Sequence, residues 1–161
     1  MKKKLLVVRD GGGFGFETSR LYSQLKSEFD LSFLVPQDKR MNREISEDNW
    51  FEVEKITSIY EKNKLKLFFA FMKSMFQIAS LQRRHKFETL LCVGSSIAVP
   101  MFIVGTLFRT KRVFIESHTR VNDISSTTKI LLKFGLANRI YVQWPELANQ
   151  HEKLLYKGNL L

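Results

Sequence analysis

The chain has 161 residues, enough for one domain with its own core and too few for two of ordinary size. Lys and Arg number 26 against 16 Asp and Glu, a formal charge of +10. That balance favours anionic partners such as phosphorylated substrates, acidic lipid or nucleic acid, without choosing among them. The single cysteine excludes an internal disulfide and fits a reducing compartment; within Leu90-Leu91-Cys92-Val93 it reads as core rather than nucleophile.

Met1-Lys2-Lys3-Lys4 before Leu5–Val8 briefly resembles a secretory leader, but the apolar run stops at Arg9-Asp10, too soon for one. Leu5–Val8 is expected to be a buried first strand. Gly11-Gly12-Gly13-Phe14-Gly15 predicts a loop, because successive glycines disfavour helix and strand alike. Phe16–Phe29 predicts a helix with Phe16, Leu21, Leu25 and Phe29 roughly on one face. Leu31–Val35 predicts a second strand stopped by Pro36, and Gln37–Asp48 a polar loop. Trp50–Ile56 alternates and predicts a third strand at a sheet edge.

Lys64–Arg84 predicts a long helix, Thr89–Val93 a fourth strand, and Gly94-Ser95-Ser96 a turn. Ile97–Phe108 predicts an apolar helix with Pro100 in its first turn, where a missing N–H costs little. Arg112–Ile115, Thr127–Leu136 and Arg139–Val142 predict strand, helix and strand, and the remainder is short and mixed. Strands alternating with helices predict an α/β fold: one Rossmann-like, doubly wound parallel sheet over residues 1–161.

Ligands of such sheets gather where strand C-termini give way to loops. Glu116, Ser117 and Arg120 follow one predicted strand end, and Gln143, Trp144 and Glu146 follow the next. The glycine turn offers backbone N–H groups and a helix N-terminus to an anion. Gly11 and Gly13 match the first two glycines of the dinucleotide fingerprint, but Phe16 stands where the third belongs, and no Walker Gly-Lys-Ser/Thr follows. That argues against a nucleotide-cofactor oxidoreductase. The bland reading, a tight turn only, stays open. Glu17 is expected in the first helical turn, either complementing the dipole or presenting a carboxylate to the cleft.

Leu65–Leu81 is rich in Phe, Leu and Met, with Lys66, Lys73, Gln77, Ser80 and Arg84 forming a narrow polar stripe. It is short of the roughly 20 apolar residues of a spanning helix and carries Lys73. Two readings stand: a helix packed on the sheet, or an interfacial helix. In the second, Lys62, Lys64, Lys66, Lys73, Arg83 and Arg84 would meet anionic lipid while Phe68, Phe69, Phe71, Met72 and Phe76 enter the headgroup boundary. Zinc-ligand spacing, a helix-turn-helix and RNA-binding aromatic motifs are absent from the sequence, so no metal and no nucleic acid is expected.

Gly12-Gly13-Phe14-Gly15-Phe16-Glu17 resembles the Gly-Gly-His-x-x-Glu loop of the oligosaccharide-biosynthesis family that includes bacterial PssD-type proteins. The eukaryotic relative is the membrane-recruiting subunit of the two-subunit transferase that adds the second N-acetylglucosamine to dolichol diphosphate. Val93–Pro100 is similar to the family's turn and proline-started helix. Ile115-Glu116-Ser117 with Arg120-Val121, and Val142-Gln143-Trp144 with Glu146, resemble its most distinctive segment, and Tyr156-Lys157-Gly158 its closing turn.

The resemblance implies the N-terminal-type half of a MurG-like GT-B glycosyltransferase: the acceptor-binding, membrane-associating subunit of a two-component enzyme. A separate donor-binding chain would bring the UDP-sugar. The acceptor would be a polyprenyl-diphosphate-linked saccharide of capsule or exopolysaccharide synthesis, and no cofactor is implied. The chain would be cytoplasmic and peripheral on the inner face of the plasma membrane. The eukaryotic member's N-terminal anchor has no counterpart in this sequence, so Leu65–Leu81 and Ile97–Phe108 are expected to make the membrane contact.

Gly11, Gly12, Gly13, Gly15, Ser95, Ser96, Ser117, Arg120 and Asn122 are the implied substrate-binding residues, with Gln143, Trp144 and Glu146 at the cleft edge or partner contact. The family loop usually carries His where this chain has Phe14, and a phenyl ring cannot take a proton. Glu17, Glu116 and His118 are therefore the candidate bases, unless the partner supplies one or the chain is a non-catalytic activator. Glu116 paired with Arg120 is the structural alternative to substrate contact.

Overall fold

The computed structural model describes residues 2–37, 49–55 and 63–160. Residues 38–48 of the predicted polar loop, together with Ile56 and Lys62, lie outside the described residues. The elements run β1 (Lys3–Val8), α1 (Gly13–Glu28), β2 (Phe29–Pro36), β3 (Asn49–Val53), α2 (Lys64–His85), β4 (Thr89–Val93), α3 (Ala98–Leu107), β5 (Lys111–Ile115), α4 (Ser126–Lys133), β6 (Arg139–Val142), α5 (Pro145–Ala148) and β7 (Leu154–Tyr156). The described strands form one parallel sheet in the order β3-β2-β1-β4-β5-β6-β7. This is the expected doubly wound arrangement, with β3 at an edge. The winding reverses between β1 and β4, the switch point at which open α/β sheets place a ligand crevice above the strand C-termini.

The strand sequences carry the reason. Val7 and Leu5 face α1 with Leu31, Phe33 and Leu91, while Leu6 and Val8 face the opposite layer with Leu34, Leu90 and Cys92. Both faces being covered, the central strands read as continuous apolar runs rather than alternating ones. The α2–α3–α4 layer supplies Ile78, Met101, Phe102 and Leu131 to the larger cluster.

Several boundaries correct the sequence reading. The helix after β1 starts at Gly13, so only Gly11 and Gly12 remain outside it. Gly12 makes the entry at φ +65°, which a side chain would resist. Gly15 is required because a Cβ there would lie 2.5 Å from the Asp10 carbonyl oxygen. Glu17 consequently lies beyond the first helical turn. Pro36 closes β2 from within, opposite Val53, at a position whose N–H the ladder does not need. The short, mixed remainder resolves into α5 and the three-residue β7, and Tyr156 belongs to β7.

α2 is much longer than the sheet is deep. Its 22 residues span roughly 33 Å, against roughly 15 Å for the five-residue β4. Its buried residues are Ser74, Ile78 and Gln82, none before the middle of the helix. Lys73 pairs with Glu54 at 2.7 Å, and Gln77 Oε1 accepts the Glu54 N–H, just past the end of β3. The turns before Lys73 therefore overhang the C-terminal edge of the sheet. Leu65, Phe68 and Phe69 on the overhang are exposed, as is Phe76, while Phe71 and Met72 are half-buried. No helix among the described residues is long and apolar enough to cross a membrane.

Two measurements check this packing. Phe102→Ala should remove about 3–5 kcal/mol of stability, read as a lower urea midpoint at unchanged slope. Burial pushes the Cys92 thiol well above its ordinary pKa, so an aromatic disulfide reagent should leave it untouched in native protein and titrate it only on unfolding.

Candidate functional site

The C-terminal edge of the sheet is organised by two buried carboxylates. Glu17, on α1, reaches across the switch point to the ends of β5 and β6. Its Oε1 accepts the Ser117 hydroxyl at 2.7 Å, and its Oε2 accepts the His118 N–H at 3.1 Å and the Gln143 Nε2 amide at 2.6 Å. Glu116 is 0% exposed. Its Oε1 accepts the Ser117 N–H at 3.0 Å, and its Oε2 accepts the Ser125 N–H at 2.7 Å and the Thr128 hydroxyl at 2.6 Å. One carboxylate thus ties α1 to two strand ends. The other ties the loop after β5 to the N-terminus of α4, where the Ser125 hydroxyl also caps Thr128.

Gln143 is the third member. It is buried, its amide also donates to the Glu116 carbonyl at 2.9 Å, and its Oε1 accepts the Leu160 N–H at 2.9 Å. Trp144 Nε1 donates to the His118 carbonyl at 2.8 Å, and the two rings meet at a tilt of 39° with centroids 4.8 Å apart. Glu17, Glu116, Ser117, His118, Gln143 and Trp144 are therefore one assembly. The remaining residues that the sequence singles out lie around it. Arg120 and Asn122 are exposed on the loop after β5, and Glu146 is exposed in the first turn of α5. Glu116 does not pair with Arg120, since both of its oxygens are engaged by the loop and α4.

At the switch point, the turn after β4 meets the glycine turn. The Ser95 hydroxyl donates to Asp10 Oδ2 at 2.6 Å, and the Gly11 N–H donates to Asp10 Oδ1 at 2.8 Å. Ser95 is buried and Asp10 half-buried. Ser96 is half-buried beside it. A Cβ at Gly11, Gly12 or Gly13 would meet nothing within 4 Å, so the space above the turn is open. Phe14 lies along Gly94, where a Cβ would stand 2.5 Å from the phenyl ring.

Asp10 is a candidate site residue that sequence reasoning missed. It reads as the residue that ends an apolar strand, and only its serine partner 85 positions away shows otherwise. Arg9 is a second. Its guanidinium sits 5.4 Å from the Trp50 ring centre, with Nη1 buried and unpaired. No group of three or more His, Cys, Asp or Glu among the described residues could hold a metal ion.

Residues 6–160 match the family model described as oligosaccharide biosynthesis protein Alg14 like. The chain belongs to that family. The human UDP-N-acetylglucosamine transferase subunit ALG14 is 26% identical over 181 residues, covering 98% of this chain and 82% of the human protein. The subunit of the same name from Yarrowia lipolytica is 33% identical over 87 residues, half of this chain and 39% of the relative. That stretch is well under two thirds of the yeast protein. In fold, this Alg14-like chain resembles MurG of Acinetobacter baumannii, with a TM-score of 0.78 at 15% identity over 98% of this chain and 46% of MurG. A UDP-N-acetylglucosamine 2-epimerase aligns at a TM-score of 0.73 and 14% identity, over 99% and 49%. These likenesses show a fold of the GT-B Rossmann-like type.

Glu17→Ala should strand the Gln143 amide and the Ser117 hydroxyl without their acceptor. A loss of about 2–4 kcal/mol in urea unfolding is expected, with hydrogen-exchange protection at the His118 amide falling more than at β1. Uniform loss of protection would mean that Glu17 holds the whole fold rather than this edge.

Proposed function

We propose that this chain is the acceptor-side, membrane-associating subunit of a two-chain glycosyltransferase. Its partner holds a UDP-sugar, and the acceptor is a polyprenyl-diphosphate-linked saccharide of capsule or exopolysaccharide synthesis at the inner face of the plasma membrane. The observation that carries the reading is the family match over residues 6–160, on an edge whose polar groups are already fixed by hydrogen bonds. The word "subunit" in the relatives' names supports a separate donor-side chain.

In the proposed reaction, an acceptor hydroxyl attacks the anomeric carbon of the UDP-sugar, the bond to UDP breaks, and the hydroxyl proton passes to a base. Glu17 and Glu116 suit this poorly: each is buried and accepts three hydrogen bonds from the protein. We assign them to holding the edge. Asp10 and His118 remain, both half-buried beside the crevice. Asp10 is the better placed, because Ser95 and Gly11 fix its carboxylate at the switch point. A carboxylate there favours a sugar hydroxyl over a phosphate oxygen, since two anions repel. The acceptor diphosphate is better served by the N-terminal amides of α1 and by Arg9.

The overhanging turns of α2 supply the membrane contact. Leu65, Phe68 and Phe69 stand exposed beyond the sheet edge that bears the crevice, with Lys64 and Lys66 among them. A lipid-borne acceptor would thus enter the crevice from the surface in which these side chains rest. Phe14 favours one second reading, a non-catalytic activator: an apolar ring packs on Gly94 where the resembling loop carries an imidazole.

Reconstitution with the donor-side chain tests both. Asp10→Asn should lower kcat roughly 10²- to 10⁴-fold with assembly intact. Full turnover in that variant and in His118→Gln would favour the activator. Separately, Phe68→Ser with Phe69→Ser should abolish flotation on anionic vesicles while leaving partner binding unchanged.

A further inference from the structure

The opposite end of the sheet carries an unassigned groove. Where α3 turns into β5 and α4 leads into β6, an open cavity of about 750 Å³ is walled by Arg109, Lys111, Arg112 and Arg139, with no acidic residue in its lining. None of the four cations forms an ion pair among the described residues. The neighbouring groove shares Arg109 and adds Arg83 and Lys86 against one acid, Glu88. Uncompensated like charges crowded at one edge repel, and a multivalent anion relieves that repulsion.

The groove is also built. The Arg112 stem crosses α3 at Gly105, where a Cβ would come within 3.1 Å of its Cγ and Cδ. Its Nε is buried without a partner. Burial also lowers the Arg112 pKa. Asn138 is clamped to β5 twice: its N–H donates to the Arg112 carbonyl at 2.9 Å, and its Oδ1 accepts the Arg112 N–H at 2.8 Å. That orientation commits the Asn138 oxygen inward and leaves its NH₂ available to an acceptor. Arg109 holds φ +54°, a left-handed conformation that costs roughly 1–2 kcal/mol for a side-chain-bearing residue. Lys86, at the end of α2, does the same. Among the described residues these are the two non-glycine positions with positive φ, both cations and both at this edge. The left-handed residues are the C-terminal caps of α2 and α3, where the Lys86 N–H returns to the Gln82 carbonyl and the Thr110 N–H to the Gly105 carbonyl, and cations complement such helix ends; neither role accounts for the unpaired Arg112 Nε.

We propose that this groove binds a phosphate group, with Arg109, Lys111, Arg112 and Arg139 as the cationic shell and the Asn138 amide as a neutral donor. Planar guanidinium forks suit phosphate oxygens in pairs. The phosphate could belong to a small soluble ligand or to a lipid headgroup; Leu107 and Phe108, exposed beside Arg109, would accompany the latter. The site lies one strand length from the crevice and does not rest on the glycosyltransferase reading.

Calorimetric titration of the full chain with inorganic phosphate and with pyrophosphate, at ionic strength held constant with chloride, tests the site. ¹⁵N spectra of Arg112 Nε and the Asn138 amide localise any response. Saturable binding that shifts both signals is expected. Arg109→Gln with Arg139→Gln, both exposed positions, should weaken it roughly 10- to 100-fold. Lys133→Gln with Lys153→Gln, which removes the same charge elsewhere, should not. Flotation on phosphatidylglycerol against phosphatidylcholine vesicles identifies the source: loss of flotation in the Arg109/Arg139 variant assigns a headgroup, and unchanged flotation with retained phosphate binding by the native chain assigns a soluble ligand. No saturable response to phosphate, pyrophosphate or either vesicle would overturn the proposal. So would binding that survives both substitutions or falls equally in the charge control.

Discussion

The buried Glu17 carboxylate is the contact on which the candidate site depends. It comes from the helix after β1, yet its three donors belong to the loop after β5 and the end of β6. Burying a carboxylate is costly unless its oxygens are filled, and three donors fill them here. The gain is positional. Ser117 and His118 are held on one side and Gln143 on the other, so the edge above β5 and β6 has one conformation. Glu116 extends the same logic to α4 through Ser125 and Thr128. Gln143 then connects the pair, bonding the Glu17 side chain and the Glu116 carbonyl with one amide group. Such satisfied buried networks rigidify the element that carries them.

The rest of the edge follows from what is left free. With the oxygens of Glu17 and Glu116 filled, Asp10 and His118 are the proposed bases at this edge, and Phe14 packs on Gly94. The geometry separates residues that build the site from residues that can touch a ligand. The sequence reading offers Glu17 and Glu116 as candidate bases, Ser117 as a ligand contact and Gln143 as cleft edge or partner contact. In the structure all four are buried and hydrogen-bonded to one another or to the neighbouring backbone.

The two ends of the sheet differ in character for a topological reason. In a parallel sheet every strand starts at one end, and every preceding helix deposits its C-terminus there. Cations that complement those helix ends accumulate at that side, as at Lys86 and Arg109. The strand C-termini and helix N-termini collect at the other, where Asp10, the glycine turn and the two buried glutamates lie. α2 adds a further asymmetry: being about twice as long as the strands are deep, it packs one face on the core from Ser74 onward and carries the turns before Lys73 past the C-terminal edge of the sheet.

Much of the fold was legible in the chain. Thr89–Val93 and Arg139–Val142 match their observed strands residue for residue, because each is a short apolar run bounded by polar or turn residues. The alternation of strands and helices likewise required a parallel sheet. β7 was not legible: Leu154–Tyr156 is three residues long and gains its strand geometry only by pairing with β6. The glycine turn read as a five-residue loop because local propensity counts against Gly13 and Gly15 in a helix. Close approach of Asp10 to α1 decides otherwise. The sequence determined which segments are buried and at which strand ends polar residues collect, since these follow from local pattern. Only the tertiary structure decided that Glu17 and Glu116 are buried with their oxygens filled, that Asp10 meets Ser95 at the switch point, and that Arg109, Arg112 and Arg139 share a groove. Each of those facts depends on partners far apart in the chain, and hydrogen bonds between distant residues leave no periodicity to read.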